Sequence, residues 1–251
     1  MEYALLCASA VAAGAVNAIA GGGTLLTFPA LEMFVLPEIA NGTSTVALFP
    51  GSFASVWGYR TQLPACKRWI GWLIAPSILG GGLGALLVGP SFRFIVPWLI
   101  LSASVLFLFQ PMIARYFKAQ ALQEPTPGVL AAIVALQFLI GVYGGYFGAG
   151  IGILMLSTLS FLGLEDIHHV NALKSALAFG MNAVAAILFI ARGMVEWPYA
   201  LAMAVAAIAG GYFGARLALR IPAAVVRWIV IFIGFALSAY YLVKEFILPL
   251  M

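Results

Sequence analysis

The chain has 251 residues, 64% of them hydrophobic and 8% charged, with 12 Lys and Arg against 8 Asp and Glu for a formal net charge of +4. Soluble domains carry about 25% charged residues, so this composition excludes a water-covered globular protein and leaves a membrane protein with many spans. The small positive balance is what cytoplasmic loops carry; it requires no nucleic acid partner.

Uncharged runs cover residues 3–31, 39–59, 69–92, 94–114, 125–164, 175–191, 197–215 and 228–243. A crossing takes about 20 apolar residues, so these runs leave no room for a separate soluble domain. The start, Met1-Glu2-Tyr3, lacks the basic region of a cleavable leader, and the first run is expected to be retained. That run, 3–36, is broken at Gly21-Gly22-Gly23. Apolar elements at 44–60, 69–89 and 91–117 follow, then a loop around Glu124, Pro125 and Pro127. The series repeats as 128–164, 171–191, 197–219 and 222–247.

The repetition extends to single residues. Gly21-Gly22-Gly23-Thr24 matches Gly150-Ile151-Gly152-Ile153 at an offset of 129, and Asn41 with Asn171, Gly80 with Gly210 and Trp98 with Trp228 match at 130. The chain thus divides into an N-terminal repeat, 1–120, a linker, 121–127, and a C-terminal repeat, 128–251. The arm after the first glycines, Thr24 to Leu36, holds 13 residues, about 20 Å of helix and too short to cross. A hairpin that dips in and returns fits better, and such backbone is tolerated only when buried in protein or lining a cavity. With three crossings per half, the halves are inverted. Arg60, Lys67, Arg68, Arg115, Lys118, Arg216, Arg220 and Arg227 then fall on one side, as the positive-inside rule asks. The expected fold is an all-α polytopic membrane protein of two inverted repeats, each a glycine-broken re-entrant hairpin plus three transmembrane helices. Trp57, Tyr59, Trp69, Trp72, Trp197, Tyr199, Tyr240 and Tyr241 read as interfacial anchors.

Three features carry candidate chemistry. Short helices starting at Thr24 and Ile153 would present unpaired N–H groups and the positive end of a helix dipole, a place for an anion. Gly21, Gly22, Gly23, Gly150 and Gly152 let the backbone turn and a ligand approach closely; close packing of small residues is the other reading, and the natural one for Gly80, Gly81, Gly82, Gly84, Gly210, Gly211 and Gly214. Next, Asn41, Thr45 and Ser52 match Asn171, Ser175 and Asn182, and their i, i+4, i+11 spacing lies on one helix face. These amides and hydroxyls either replace an anion's hydration shell or bond helix to helix; Asn41 and Asn171 also fit as N-caps. Finally, Lys174 has Ser44 as its counterpart, so its charge exists in one half only. It either draws an anion or snorkels to the interface.

The remaining signals are plain. Cys7 and Cys66 are too far apart in sequence for a metal motif and read as free thiols. Glu165, Asp166, His168 and His169 read as a polar loop. The Asn41-Gly42-Thr43 sequon is a short match of the kind that arises by chance. No nucleophile elbow, phosphate loop or zinc helix motif occurs, so neither an enzyme nor a cofactor or metal site is expected.

The chain resembles the sulfite exporter TauE/SafE family, on Gly14-Ala15-Val16-Asn17-Ala18-Ile19-Ala20-Gly21-Gly22-Gly23-Thr24-Leu25-Leu26, Asn41-Gly42-Thr43-Ser44, Gly141-Val142-Tyr143-Gly144-Gly145-Tyr146-Phe147-Gly148-Ala149-Gly150-Ile151-Gly152 and Asn171-Ala172-Leu173-Lys174-Ser175. The resemblance implies a bacterial-type inner-membrane permease that moves sulfite or a small organosulfonate or carboxylate. Isoleucines replace Gly22 and Thr24 in the second half, so the two tips need not bind alike. The expectation is a secondary transporter working by alternating access, with H⁺ or Na⁺ as coupling ion and the lipid bilayer as surroundings; an anion channel, or an intramembrane enzyme or assembly subunit, is the alternative.

Overall fold

The computed structural model describes residues 1–19, 22–119, 125–164, 166–218 and 223–243, and the regular elements among them are all helical. They are α1 (Glu2–Ile19), α2 (Thr24–Glu32), α3 (Pro37–Gly58), α4 (Lys67–Leu87), α5 (Phe92–Ala119), α6 (Pro127–Tyr146), α7 (Ile151–Leu159), α8 (Ile167–Ala191), α9 (Trp197–Ala218) and α10 (Ala223–Leu242), with 3₁₀ turns at Leu63–Cys66 and Ser160–Leu162. The order long, short, long, long, long occurs twice. Gly21 lies outside the described residues, as does most of the expected linker; Pro125 and Thr126 precede α6 directly.

Local chemistry sets the helix starts. Pro37 opens α3 after the extended Leu36, seven residues before the expected 44, because its fixed φ suits the first helical position. Thr126 caps α6 by accepting from the Val129 N–H at 3.4 Å, and the Asp166 carboxylate caps α8 through the His168 N–H at 2.8 Å. Asn41 and Asn171 therefore lie inside their helices, not at the caps. The start of α9 is tied to α3, whose Thr43 Oγ1 accepts from the Glu196 N–H at 2.9 Å. The end of α4 is closed by Arg192, which donates to the carbonyls of Ala85 (2.7 Å), Leu86 (3.3 Å) and Val88 (2.7 Å).

Four helices among the described residues are long and apolar enough to cross a membrane: Leu63–Leu87, Phe92–Phe109, Pro127–Tyr146 and His168–Ala191; Glu2–Asn17, Trp197–Gly211 and Trp228–Leu242 are shorter apolar helices. The chain is a membrane protein. α3 is absent from that group because Asn41, Thr43, Ser44, Thr45, Ser52 and Ser55 dilute its apolar content; its first half is buried by other helices, so a lipid coat is not required there.

Glycines set the helix pairing. α4 lies on α6 and α1 on α9. A Cβ on Gly80 would collide with the Phe138 carbonyl oxygen, one on Gly84 with that of Val142, and one on Gly145 with that of Gly81; Gly14 faces the Ala207 carbonyl and Gly210 that of Val11. The packing expected of Gly80, Gly81, Gly84 and Gly210 is present. Gly82 and Gly211 are looser, their nearest neighbours being 3.6 and 3.8 Å from a Cβ, and the surroundings of Gly214 are outside the description. Leu79, Leu86, Leu139, Leu201, Val205 and Ile208 are exposed, and such apolar surface suits lipid. Trp57, Trp72, Trp197 and Tyr240 are likewise exposed, but Trp69 and Tyr241 are buried; those two pack into the protein instead of anchoring it.

Matching environments correct one register. Gly14 meets Ala207 and Gly211, while Gly141 meets Ser77 and Gly81; the partners are 130 residues apart and the glycines 127. The starts of α2 and α7, Thr24 and Ile151, are also 127 apart. The offset of 129 came from sliding one glycine-rich string along another, which is ambiguous by a residue or two; helix faces remove that ambiguity. Hence α7 begins at Ile151 and not at Ile153. Across the centre, positions 130 apart meet each other. Phe49 stacks on Phe179 with centroids 5.3 Å apart, the Asn182 Nδ2 donates to Ser52 Oγ at 3.3 Å, and Gly234 lies against Ser104.

Candidate functional site

The two glycine breaks come together. Phe107 of α5, fully buried, puts its ring against Gly22 and lies 3.5 Å from where a Cβ of Gly150 would be. Phe28 of α2 meets Phe147 at the second break with centroids 5.4 Å apart, and Phe92 at 6.0 Å; Phe92 meets Tyr146 at 5.2 Å. An aromatic cluster thus joins the first short helix to the chain entering the second.

At the first break Gly22 adopts φ +117, open to glycine almost alone. The Asn17 Oδ1, on the last turn of α1, accepts from the N–H groups of both Gly22 (2.9 Å) and Gly23 (2.7 Å). A side chain of the protein therefore occupies the place expected for an anion. Below it, Thr27 Oγ1 meets Ser44 Oγ at 2.6 Å. Thr24 begins α2.

The second break is built differently. Gly148 and Gly150 have φ +78 and +73. Tyr143 Oη donates to the Ala149 carbonyl at 2.6 Å, and the Ile153 N–H reaches the Gly150 carbonyl at 3.0 Å. Among the described residues, the N–H groups of Gly150 and Gly152 meet no acceptor. Lys174 of α8 runs past this end of α7, its Cδ 3.9 Å from the Cβ position of Gly152. Its side chain is half-buried. Among the described residues no carboxylate is within 4.0 Å of it.

The polar stripe divides. Ser52 and Asn182 bond to each other. Asn41, 1% exposed, donates through Nδ2 to the Tyr146 carbonyl at the end of α6 at 2.9 Å, while its buried Oδ1 has no partner among the described residues. Thr45 Oγ1 returns to the carbonyl of Asn41 at 2.9 Å. Ser175 is buried, and Asn171 sits one turn into α8 with a partner of its own. Sequence reasoning passed over Asn17, Phe107 and Gln137. The lone amides were readable: each interrupts an apolar helix, and Gln137 is fully buried, donating to Ser77 Oγ at 2.9 Å. Phe107 carried no such signal. Cys7 and Cys66 are free thiols, and among the described residues no three His, Cys, Asp or Glu side chains gather to hold a metal; Glu165 is outside them.

Known proteins now bear on this arrangement. The family model of the sulfite exporter TauE/SafE matches residues 6–241. A probable membrane transporter protein of Haemophilus influenzae is 30% identical over 94% of this chain and 92% of its own. The probable membrane transporter protein YfcA of Escherichia coli K12 is 29% identical over 92% and 86%, and YunE of Bacillus subtilis, also a probable membrane transporter, is 26% identical over 86% and 89%. No solved structure matches at a significant level. These names point to transport and not to enzymatic turnover. A match across almost every helix, glycine breaks included, places this chain in the sulfite exporter TauE/SafE family.

Proposed function

We propose that the protein is a secondary transporter of the bacterial inner membrane that moves a small anion, sulfite or a small organosulfonate or carboxylate, by alternating access. The observation that carries this reading is the convergence of two glycine breaks, each opening a nine-residue helix, on one phenylalanine. The long arms, α1 and α6, have 18 and 20 residues and the return arms nine, about 27–30 Å against about 14 Å of helix. Each pair is a re-entrant hairpin whose tip lies at depth, which is tolerable because protein surrounds it. Three further helices complete each of two repeats, 1–120 and 128–251, joined by 121–127.

Contacts between positions 130 apart, Phe49 with Phe179 and Ser52 with Asn182, fit a pseudo-twofold axis through the centre, and three crossings per repeat make the repeats inverted. The anion lies where the breaks meet, near Gly150, Gly152 and Lys174, with Ser52, Asn182 and the buried Asn41 and Ser175 along α3 and α8. Rocking of the repeats about that point gives access to either side in turn. Proton or sodium gradients supply the drive.

The test is flux through liposomes holding the purified protein, with sulfite, sulfoacetate, thiosulfate and acetate, each with and without pH and sodium gradients. Saturable, gradient-driven movement of at least one anion is expected. Unitary currents in planar bilayers would replace the transporter with a channel, and absence of flux for all four anions would overturn the reading.

A further inference from the structure

The two breaks are chemically unequal. At the first, the Asn17 carboxamide oxygen accepts from Gly22 and Gly23 at 2.9 and 2.7 Å, and the ring of Phe107 covers Gly22. Those donors are used, by an internal group that imitates one oxygen of a ligand. At the second, the Gly150 and Gly152 N–H groups meet no acceptor among the described residues. The half-buried Lys174, with no carboxylate within 4.0 Å among the described residues, passes with its Cδ 3.9 Å from the Gly152 Cβ position. A cation withdrawn partly from water without a counter-ion is unfavourable, and the nearby positive end of a helix makes it more so. An anion between them relieves both.

Among the residues whose side chains are described, the other Lys and Arg side chains are engaged or exposed. Arg192 is bound to three carbonyls at the end of α4. Arg60, Arg68 and Arg93 lie over the rings of Trp57, Trp69 and Phe94, and Lys67 is exposed. Among the described side chains, the second break therefore has one full positive charge beside it, that of Lys174, and the partial charge of a helix end, about half an elementary charge. A dianion would leave part of its charge uncompensated.

We propose that the first break is a closed structural pivot sealed by Asn17, and that the second break, with Lys174, is the seat of the anion and takes an oxyanion headgroup bearing a single negative charge. This rests on the transporter reading above. The headgroup chemistry is that of a carboxylate, a sulfonate or hydrogensulfite, with oxygens for the free N–H groups and one charge for the lysine.

The test uses the full-length protein in liposomes, with labelled methanesulfonate and acetate as singly charged probes and sulfate as the doubly charged one. The wild type should move a singly charged probe and be indifferent to a tenfold excess of sulfate. Lys174→Gln should lower that flux at least thirty-fold, Lys174→Arg should keep a tenth or more of it, and Asn17→Ala should stay within threefold of the wild type while melting at lower temperature. Strong competition by sulfate, or full flux in a monodisperse Lys174→Gln protein, overturns the proposal and leaves the transporter reading intact. So does an Asn17→Ala variant that loses flux but melts like the wild type. Should Lys174→Gln fail to fold, Lys174→Arg and the sulfate competition still decide. A wild type that moves none of the probes removes the transporter reading and this proposal together.

Discussion

The first and second glycine breaks occupy equivalent places in the chain and do opposite things with the same backbone chemistry. Both must satisfy amide donors at the start of a nine-residue helix. The first does so for Gly22 and Gly23 within the protein, through Asn17, and closes Gly22 against Phe107. Among the described residues, the second leaves the Gly150 and Gly152 N–H groups without an acceptor and sets Lys174 beside Gly152. On the proposed reading, one break is held by its own chain and the other binds the ligand, and the side chain five residues before Gly22 makes the difference.

Adding one methyl group at each break should separate the two roles most sharply. Gly22 has φ +117 and the Phe107 ring in the space a Cβ would fill. Gly22→Ala should destabilise the protein by about 3 kcal/mol, combining backbone strain with overpacking, and Phe107→Leu should recover part of that loss. Gly150 has φ +73, where a side chain is tolerated at about 1 kcal/mol, and its nearest neighbour is 3.5 Å away. Gly150→Ala should melt only slightly earlier but lose about tenfold in flux. Buried Cys66 provides the readout of unfolding, since a thiol-reactive dye reaches it when the bundle opens. Equal thermal losses at the two glycines would abolish the contrast.

Asn17→Ala comes next in size. It removes the acceptor for two N–H groups, one of them partly buried, and should cost about 1–2 kcal/mol, as loss of a helix cap does. Asn17→Asp should keep the acceptor and retain most of the stability, while putting a negative charge at the positive end of α2. If Asn17→Ala melted with the wild type, the first break would have no internal ligand worth the name.

How far these roles could be read from residues alone varies with how local the signal is. Glycine interruptions of apolar runs announced both breaks, and the i, i+4, i+11 spacing placed Asn41, Thr45 and Ser52 on one face, as α3 has them. Spacing gives a face, not a destination: Thr45 turned back to its own helix and Asn41 to the end of α6. Pro37 starts α3 seven residues before the apolar run suggests, and a proline at that place is itself a legible helix-start signal. The register of the repeat slipped by two because glycine strings resemble one another at several offsets, while the carbonyls that face Gly14 and Gly141 allow one. Phe107 was invisible, an ordinary aromatic 85 residues beyond Gly22 in the chain. Only folding brings it to both breaks.

The smallest effect concerns the centre, where the halves meet as equals. Asn182 donates to Ser52 at 3.3 Å in a partly buried setting, a long bond with net worth of about 0.5–1 kcal/mol. Pro50, two residues earlier in α3, removes a backbone donor and loosens the helix beside it. Ser52→Ala and Asn182→Ala should each cost less than 1 kcal/mol, and the double variant about the same as either, giving a coupling energy near the bond itself. Flux distinguishes what the pair is for. If it lines the anion's route, Asn182→Leu should slow transport severalfold at unchanged melting temperature, because an apolar side chain offers nothing to a passing oxyanion. If it only holds α3 to α8, flux should follow stability. The axis would then be a hinge between the repeats, leaving the open second break to bind the anion alone.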